Sequence, residues 1–326
     1  MGFQSEFKQY MQSTYGQECA DKFIYFNFYN ILVDFNEKEA DNLDYMMMQY
    51  DLAAFTQLLK DKPEPQTLAE ARALYEEVID GAVPCLDDAE GEYIAAGDYK
   101  AMLEAVVPLS FILTLNFPRY YFHNLFRYRA YALQRLSEVF GIPMPSKPRK
   151  DDYRARLMYY WQLCETFYQF RIANEMTSLE LEVFLNGYAR PYLSEVSVRP
   201  DSSAAWWMGR KEDMSHMHIA FSRADKRIRK GNLVFQYQAL PTGRLAAVWQ
   251  TATDAVCDPF YEHYNSTYLS NKRELPPITL ADLKADAYFG NHPLARRHFL
   301  AADGYRLSDQ DYKELLRLLE TKGVKL

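Results

Sequence analysis

Near residue 196 the spacing of apolar residues changes from helical to alternating, so one fold class cannot describe the whole chain. Before that point, apolar stripes recur at helical spacing between proline-marked breaks. After it, Asn232-Leu-Val-Phe-Gln-Tyr-Gln238 alternates, Leu240-Pro-Thr-Gly243 supplies turn residues, and Arg244-Leu-Ala-Ala-Val-Trp-Gln-Thr251 runs on as a second strand. A length of 326 residues also exceeds the roughly 250 to 300 at which single cores stop growing. The expected class is α+β, with a helical domain over 1–195 and a mixed β domain over 196–326.

In the helical part, helices are expected over Phe3 to Leu59, with aromatic residues crowding Phe23 to Phe35. Thr67 with Glu70 forms a capping-box pattern that opens a helix through Ile79, closed by Gly81 and Pro84. Asp87 to Asp98 reads as an acidic surface loop. Tyr99 to Phe140 reads as helix interrupted near Pro108 and Pro118, and Gly141 to Pro148, with three prolines in eight residues, as a connector. Asp152 to Ile172 follows, then Thr177-Ser-Leu-Glu180 caps Leu179 to Tyr188, which is expected to end at Arg190-Pro191. Arg119, Arg127, Arg129 and Arg135 interleave with Tyr120, Tyr121, Tyr128 and Tyr131. That pattern suits either single-stranded nucleic acid or a buried aromatic face whose arginines reach water.

Charge is also unevenly spread along the chain. Residues 1–100 carry 7 basic and 20 acidic side chains, a net −13, and the remainder carry 30 and 24, a net +6. An anionic partner is therefore sought in the second part, while the acidic first part repels nucleic acid or mimics it toward another protein. The basic residues concentrate at Arg223, Lys226, Arg227, Arg229 and Lys230, which can pair with phosphates. Nearby, Trp206, Trp207, Tyr237 and Trp249 can wall in an extruded base, or else form barrel core. Period-two alternation puts Leu233, Phe235 and Tyr237 on one strand face and Val234 and Gln236 on the other. Thr279 opens a short helical turn, and Ser308 caps a last helix with a Tyr312, Leu315, Leu316 and Leu319 stripe.

Other chemistries find little support. No apolar run reaches the roughly 18 residues of a membrane span, and the N-terminus lacks a basic region followed by an apolar stretch. The cysteines, Cys19, Cys85, Cys164 and Cys257, lack CxxC spacing and suit reduced core thiols, which points to the cytoplasm. His216, His218 and Asp213 lack a third metal ligand at diagnostic distance. Neither GxSxG, GxxxxGK[ST] nor GxGxxG occurs. A nuclease carboxylate cluster assembled by the fold stays open, because local spacing does not report it.

Arg229-Lys-Gly-Asn-Leu-Val-Phe-Gln-Tyr-Gln238 followed by Arg244-Leu-Ala-Ala-Val-Trp249 resembles the core hairpin of PUA-like domains of the EVE type. Trp206-Trp207-Met208 is similar to the opening strand of that family, and Ile278 to Lys284, His292-Pro-Leu294 and Leu307 to Tyr312 follow in a familiar order. The chain departs from better-known members in having Met208-Gly209-Arg210 where they carry Asn-Pro. The whole chain also resembles a group of bacterial proteins sharing Asp152-Tyr-Arg154, Phe170-Arg171, Glu180 to Phe184 and Asp258-Pro-Phe-Tyr261, a likeness that implies architecture and no activity. The family resemblance implies a PUA-like mixed β-barrel that holds a modified base of RNA or DNA, in defence or regulation. Trp206, Trp207, Met208, Tyr237 and Trp249 would line its pocket, and Asp258, Phe260 and Tyr264 its rim. The expectation is binding without catalysis and without a cofactor, with the helical domain contacting a protein partner or a second copy. The alternatives are a helical scaffold with a structural barrel, or a metal-dependent nuclease.

Overall fold

The computed structural model describes residues 3–24, 42–84, 92–122, 130–193, 204–210, 220–260 and 264–324. The chain divides into two compact units, Met1–Ser194 with Pro259–Glu262, and Glu195–Asp258 with His263–Leu326. It mixes helices in the first with a nearly closed, barrel-like sheet in the second. No helix among the described residues is long and apolar enough to cross a membrane.

The first unit is built from α1 (Phe3–Met11), α2 (Thr14–Ile24), α3 (Asn42–Leu59), α4 (Leu68–Asp80), α5 (Tyr99–Glu104), α6 (Val106–Asn116), α7 (Ala130–Phe140), α8 (Tyr153–Ala173), α9 (Ser178–Val183) and α10 (Arg190–Leu193). Their ends follow local chemistry. Thr67 Oγ1 accepts from the Glu70 amide at 3.2 Å, while Glu70 Oε2 accepts from the Gln66 amide, one residue earlier than a capping box requires. Thr177 and Glu180 form the full reciprocal box. The interruption expected near Pro108 falls between α5 and α6, which leaves Pro108 in the first turn of α6, where its missing N–H breaks no helical bond.

Two features were not anticipated. Val83–Pro84 (β1) pairs antiparallel with Glu92–Ile94 (β2). A π-helix, Phe184–Tyr188, continues α9, and the chain does not stop at Arg190-Pro191 but makes the short α10 with Pro191 in its first turn. Much of the expected loop over Asp87–Asp98 lies outside the described residues; Asp98 caps α5.

The aromatic content of this unit goes into its core. Tyr75, Tyr121 and Tyr160 are buried, and their hydroxyls donate to the carbonyls of Leu157 (2.9 Å), Ala71 (2.6 Å) and Phe122 (2.8 Å). Each ring thereby brings a large apolar area inside without orphaning its hydroxyl. Cys164 lies among them, and burial pushes its thiol up to about 12, which keeps it a neutral core thiol. A second aromatic group joins Phe3, Phe7, Phe140, Phe170, Phe184 and Tyr188.

The second unit has β3 (Ala205–Arg210), β4 (Ala220–Arg223), β5 (Leu233–Gln238), β6 (Arg244–Thr251), β7 (Val256–Cys257), β8 (Asn265–Thr279) and β9 (Ala301–Arg306). The sheet order is β4-β8-β6-β5-β3-β9, with β7 on β8. β5 and β6 form the expected antiparallel hairpin, and β3 runs parallel to β5. Helices α11 (Leu280–Ala285) and α12 (Asp309–Thr321) open on capping boxes in which Thr279 pairs with Asp282 and Ser308 with Asp311. Asp311 also accepts from the Tyr288 hydroxyl at 2.6 Å and sits 3.1 Å from His292 Nε2, so one buried carboxylate ties α12 to the preceding turns.

One face of the sheet packs beneath these helices: Trp207, Phe235, Tyr237, Leu245 and Val248 meet Leu283, Phe289, Leu315 and Leu319. The other face is the inner one. Ser222 on β4 donates to the sulfur of Met208 on β3 at 3.1 Å, although three strands lie between them in the sheet. Only a curled sheet brings those two side chains together. The seam between the outermost strands is bridged by side chains. Arg210 on β3 donates both to the Arg223 carbonyl on β4 and to the Ala302 carbonyl on β9 (2.7 Å), and Arg223 pairs with Asp303 on β9.

Candidate nucleic-acid interface

The hairpin alternation settles where each aromatic residue goes. Trp206, Met208, Val234, Ala247, Trp249 and Leu269 cluster on the inner face together with Ala224 and Ile228. Trp207 and Tyr237 lie on the helix-covered face, where their rings stack 5.4 Å apart. The expected five-residue pocket is therefore two sets back to back. The physical reason is strand geometry, since consecutive residues such as Trp206 and Trp207 point to opposite sides. Phe260 departs further: it packs in the core of the helical unit, 5.4 Å from Tyr159, and its carbonyl accepts from buried Arg156 at 3.1 Å. Asp258 is buried, and its amide donates to the Tyr264 carbonyl at 3.1 Å. Tyr264 carries the Arg223 guanidinium 4.6 Å above its ring.

On the inner face the polar end of each indole is held by an amide. Trp206 Nε1 donates to Asn232 Oδ1 at 2.9 Å, and Trp249 Nε1 donates to Gln236 Oε1 at 2.7 Å. A cation lies over each ring, with Arg227 5.5 Å from the Trp206 centroid and the Lys272 ammonium 5.7 Å from that of Trp249. Sequence reading singled out neither Gln236 nor Lys272 as a site residue. The first was signalled by a polar residue sharing Val234's face, and the second had no local signal.

Of the five cations, Arg223 ends β4, and Lys226, Arg227, Arg229 and Lys230 lie on the loop between β4 and β5. Gly231 N donates to the Thr251 carbonyl (2.8 Å), Lys230 N to Asp254 Oδ1 (2.8 Å), and Thr251 Oγ1 to the Arg229 carbonyl (2.6 Å). Not every cation is equally available. Arg227 grips Asp225 with two bonds of 2.9 and 2.8 Å, which hold the Asp225 carboxyl below its usual range. Arg229 donates to the Lys226 and Ile228 carbonyls. Lys226 makes no ion pair among the described residues.

Elsewhere the signals weaken. In the helical unit Arg119 lies over Tyr120, which stacks on Tyr168 at 5.5 Å, but Tyr120 and Tyr121 are buried and Arg135 pairs with Glu138. Arg127, Tyr128 and Arg129 lie outside the described residues, as do His216, His218 and Asp213. An open cleft lined by Asp98, Tyr99, Lys100, Arg149, Tyr153 and Arg154 has its Arg154 fork committed to Asp80 at 2.9 and 2.8 Å. Among the described residues no group of three or more His, Cys, Asp or Glu side chains is placed to hold a metal.

No family model matches the chain, and no curated protein matches it. Solved structures similar to part of it include the NMR structure of Rpa0253 from Rhodopseudomonas palustris, with 14% identity over 36% of this chain and 94% of that one at a TM-score of 0.30. A hypothetical protein from Leishmania major has 15% identity over 39% of this chain and 100% of its own, at a TM-score of 0.32. Atu2648 from Agrobacterium tumefaciens has 12% identity over 37% and 94%, at 0.31. Likenesses of this size say nothing of what the chain binds.

Proposed function

We propose that the second unit is a PUA-like barrel of the EVE type that binds nucleic acid and takes a modified base against its inner face. The observation that carries this reading is the pairing of two inner-face indoles with two cations, Arg227 over Trp206 and Lys272 over Trp249. A cation over an indole marks a ring face that accepts a charged or flat π partner, and a base competes for such a face by stacking. The Arg227 side chain is 57% exposed, so it can leave Trp206 without unpacking the barrel. The adjoining loop supplies Lys226, Arg229 and Lys230 for phosphates, in agreement with the positive balance of the second part.

The test is a binding titration of short single- and double-stranded oligonucleotides, plain and base-modified, from about 50 to 200 mM salt, across which phosphate-dominated binding weakens steeply. Lys226→Ala is the clean variant, because Arg227→Ala also strips Asp225 of its partner. It is expected to weaken every oligonucleotide alike and reduce the salt slope by about one. No binding of any oligonucleotide at about 50 mM salt contradicts the reading.

A further inference from the structure

Gln236 is a buried amide whose oxygen is hydrogen-bonded and whose nitrogen is not. It is 4% exposed, and one of its terminal atoms lies 2.7 Å from Trp249 Nε1. An indole N–H only donates, so the atom facing it is the amide oxygen, and the orientation of the whole amide follows. Gln236 Nε2, with two N–H donors, is turned away from that bond, and among the described residues nothing accepts from it. Gln236 Nε2 is not one of the fully sealed, unpartnered side-chain atoms among the described residues, so it stays within reach of solvent, and a ligand that displaces that solvent must offer it an acceptor.

The neighbouring group has the same polarity. The Lys272 side chain is 11% exposed, and its ammonium lies over the Trp249 ring and 3.1 Å from Glu274 Oε1, a carboxylate on a side chain that is itself 77% exposed. An ammonium donates and never accepts. Beside Trp206, Asn232 Oδ1 already accepts from Trp206 Nε1 and the Arg229 amide, and the Ser222 hydroxyl is directed at Met208 sulfur. Around Trp249 the protein therefore offers donors and positive charge.

Resting on the binding reading above, we propose that Gln236, with Lys272, determines which base the inner face accepts: one whose edge or modification presents oxygen acceptors, best an anionic one, over one that carries a methyl group in that place. A carboxylated pyrimidine has that chemistry. Its carboxylate would receive Gln236 Nε2 and lie next to the Lys272 ammonium, while a methyl group would leave the amide donor unpaired.

The experiment compares oligonucleotides identical except for a single 5-carboxylcytosine or 5-methylcytosine, measured by fluorescence anisotropy with wild type, Gln236→Glu and Lys272→Met. Wild type is expected to bind the carboxylated form at least about tenfold more tightly, the size of one charge-assisted hydrogen bond. Gln236→Glu keeps an acceptor for Trp249 Nε1 but replaces the donor edge with a repelling carboxylate, so the ratio drops to about one or inverts. Lys272→Met lowers the ratio with little change for the methylated form, and decides the matter if Gln236→Glu does not fold by thermal melting. A wild-type protein that binds both forms equally, or a ratio unchanged in a folded variant, overturns this proposal and leaves the binding reading standing. Failure of wild type to bind any oligonucleotide overturns both.

Discussion

Gly209→Ala is expected to destabilise the second unit by about 3 kcal/mol, the upper part of the range for forcing atoms into a packed interior. Gly209 lies on β3 opposite Ala301 of β9. A Cβ there would overlap the Phe299 carbonyl oxygen and come within 3.0 Å of the Ala301 nitrogen and the Leu300 Cα. Every one of those atoms is backbone, so no side chain can swing aside. The Phe299 carbonyl is also held in place, because it accepts the Trp207 indole N–H at 2.9 Å and Trp207 is fully buried. Relief therefore requires parting β3 from β9, which also strains the Arg210 bond to the Ala302 carbonyl at 2.7 Å. Urea unfolding followed by tryptophan fluorescence measures the loss. A change below about 0.5 kcal/mol, the size of an ordinary surface substitution, would show that the strands yield freely. The glycine thus gives a physical role to the Met208-Gly209-Arg210 sequence at the end of β3.

The second large effect is expected in the helical unit. Gly187→Ala places a Cβ onto the Tyr10 hydroxyl oxygen, 3.2 Å from Tyr10 Cζ and 3.0 Å from Cys19 sulfur. Gly187 sits in the π-helix Phe184–Tyr188, whose extra residue per turn lets the backbone meet α1 and α2 there. The expected loss is about 2 kcal/mol. Tyr10→Phe removes the overlapping oxygen but not the sulfur, so the double variant should recover roughly half of it. A coupling of this kind is what a double-mutant cycle detects. Strict additivity of the two changes would show that Tyr10 moves away without cost.

Local chemistry was readable wherever a few neighbouring residues decide the outcome. The capping boxes at Thr177 and Ser308, the Gly141 to Pro148 connector and the β5–β6 hairpin all appear where spacing places them. The same alternation that predicted the hairpin faces also separates Trp206 from Trp207, and gathering both into one pocket overlooked it. Other features depend on partners distant in sequence. β8 runs for 15 residues through Pro276 and Pro277, which local reading takes as a strand breaker, and β9 contains a glycine at positive φ. Nothing near Phe260 announces that its ring belongs to the helical unit's core, and nothing near Arg210 announces the carbonyls it joins across the seam.

The division of tryptophans between faces also provides the most direct test of base binding. With ¹⁵N-labelled indoles, Trp161, Trp206, Trp207 and Trp249 give four Nε1–H signals, assignable from single Trp→Phe variants. Trp206 and Trp249 share the inner face, Trp207 donates to Phe299 on the helix-covered face, and Trp161 lies in the helical core. Adding a carboxylcytosine-bearing oligonucleotide at low salt is expected to shift the Trp206 and Trp249 signals together and leave Trp207 and Trp161 in place. Shifts confined to Trp207 or Trp161, or binding that moves none of the four, would contradict a base held against the inner face of the barrel.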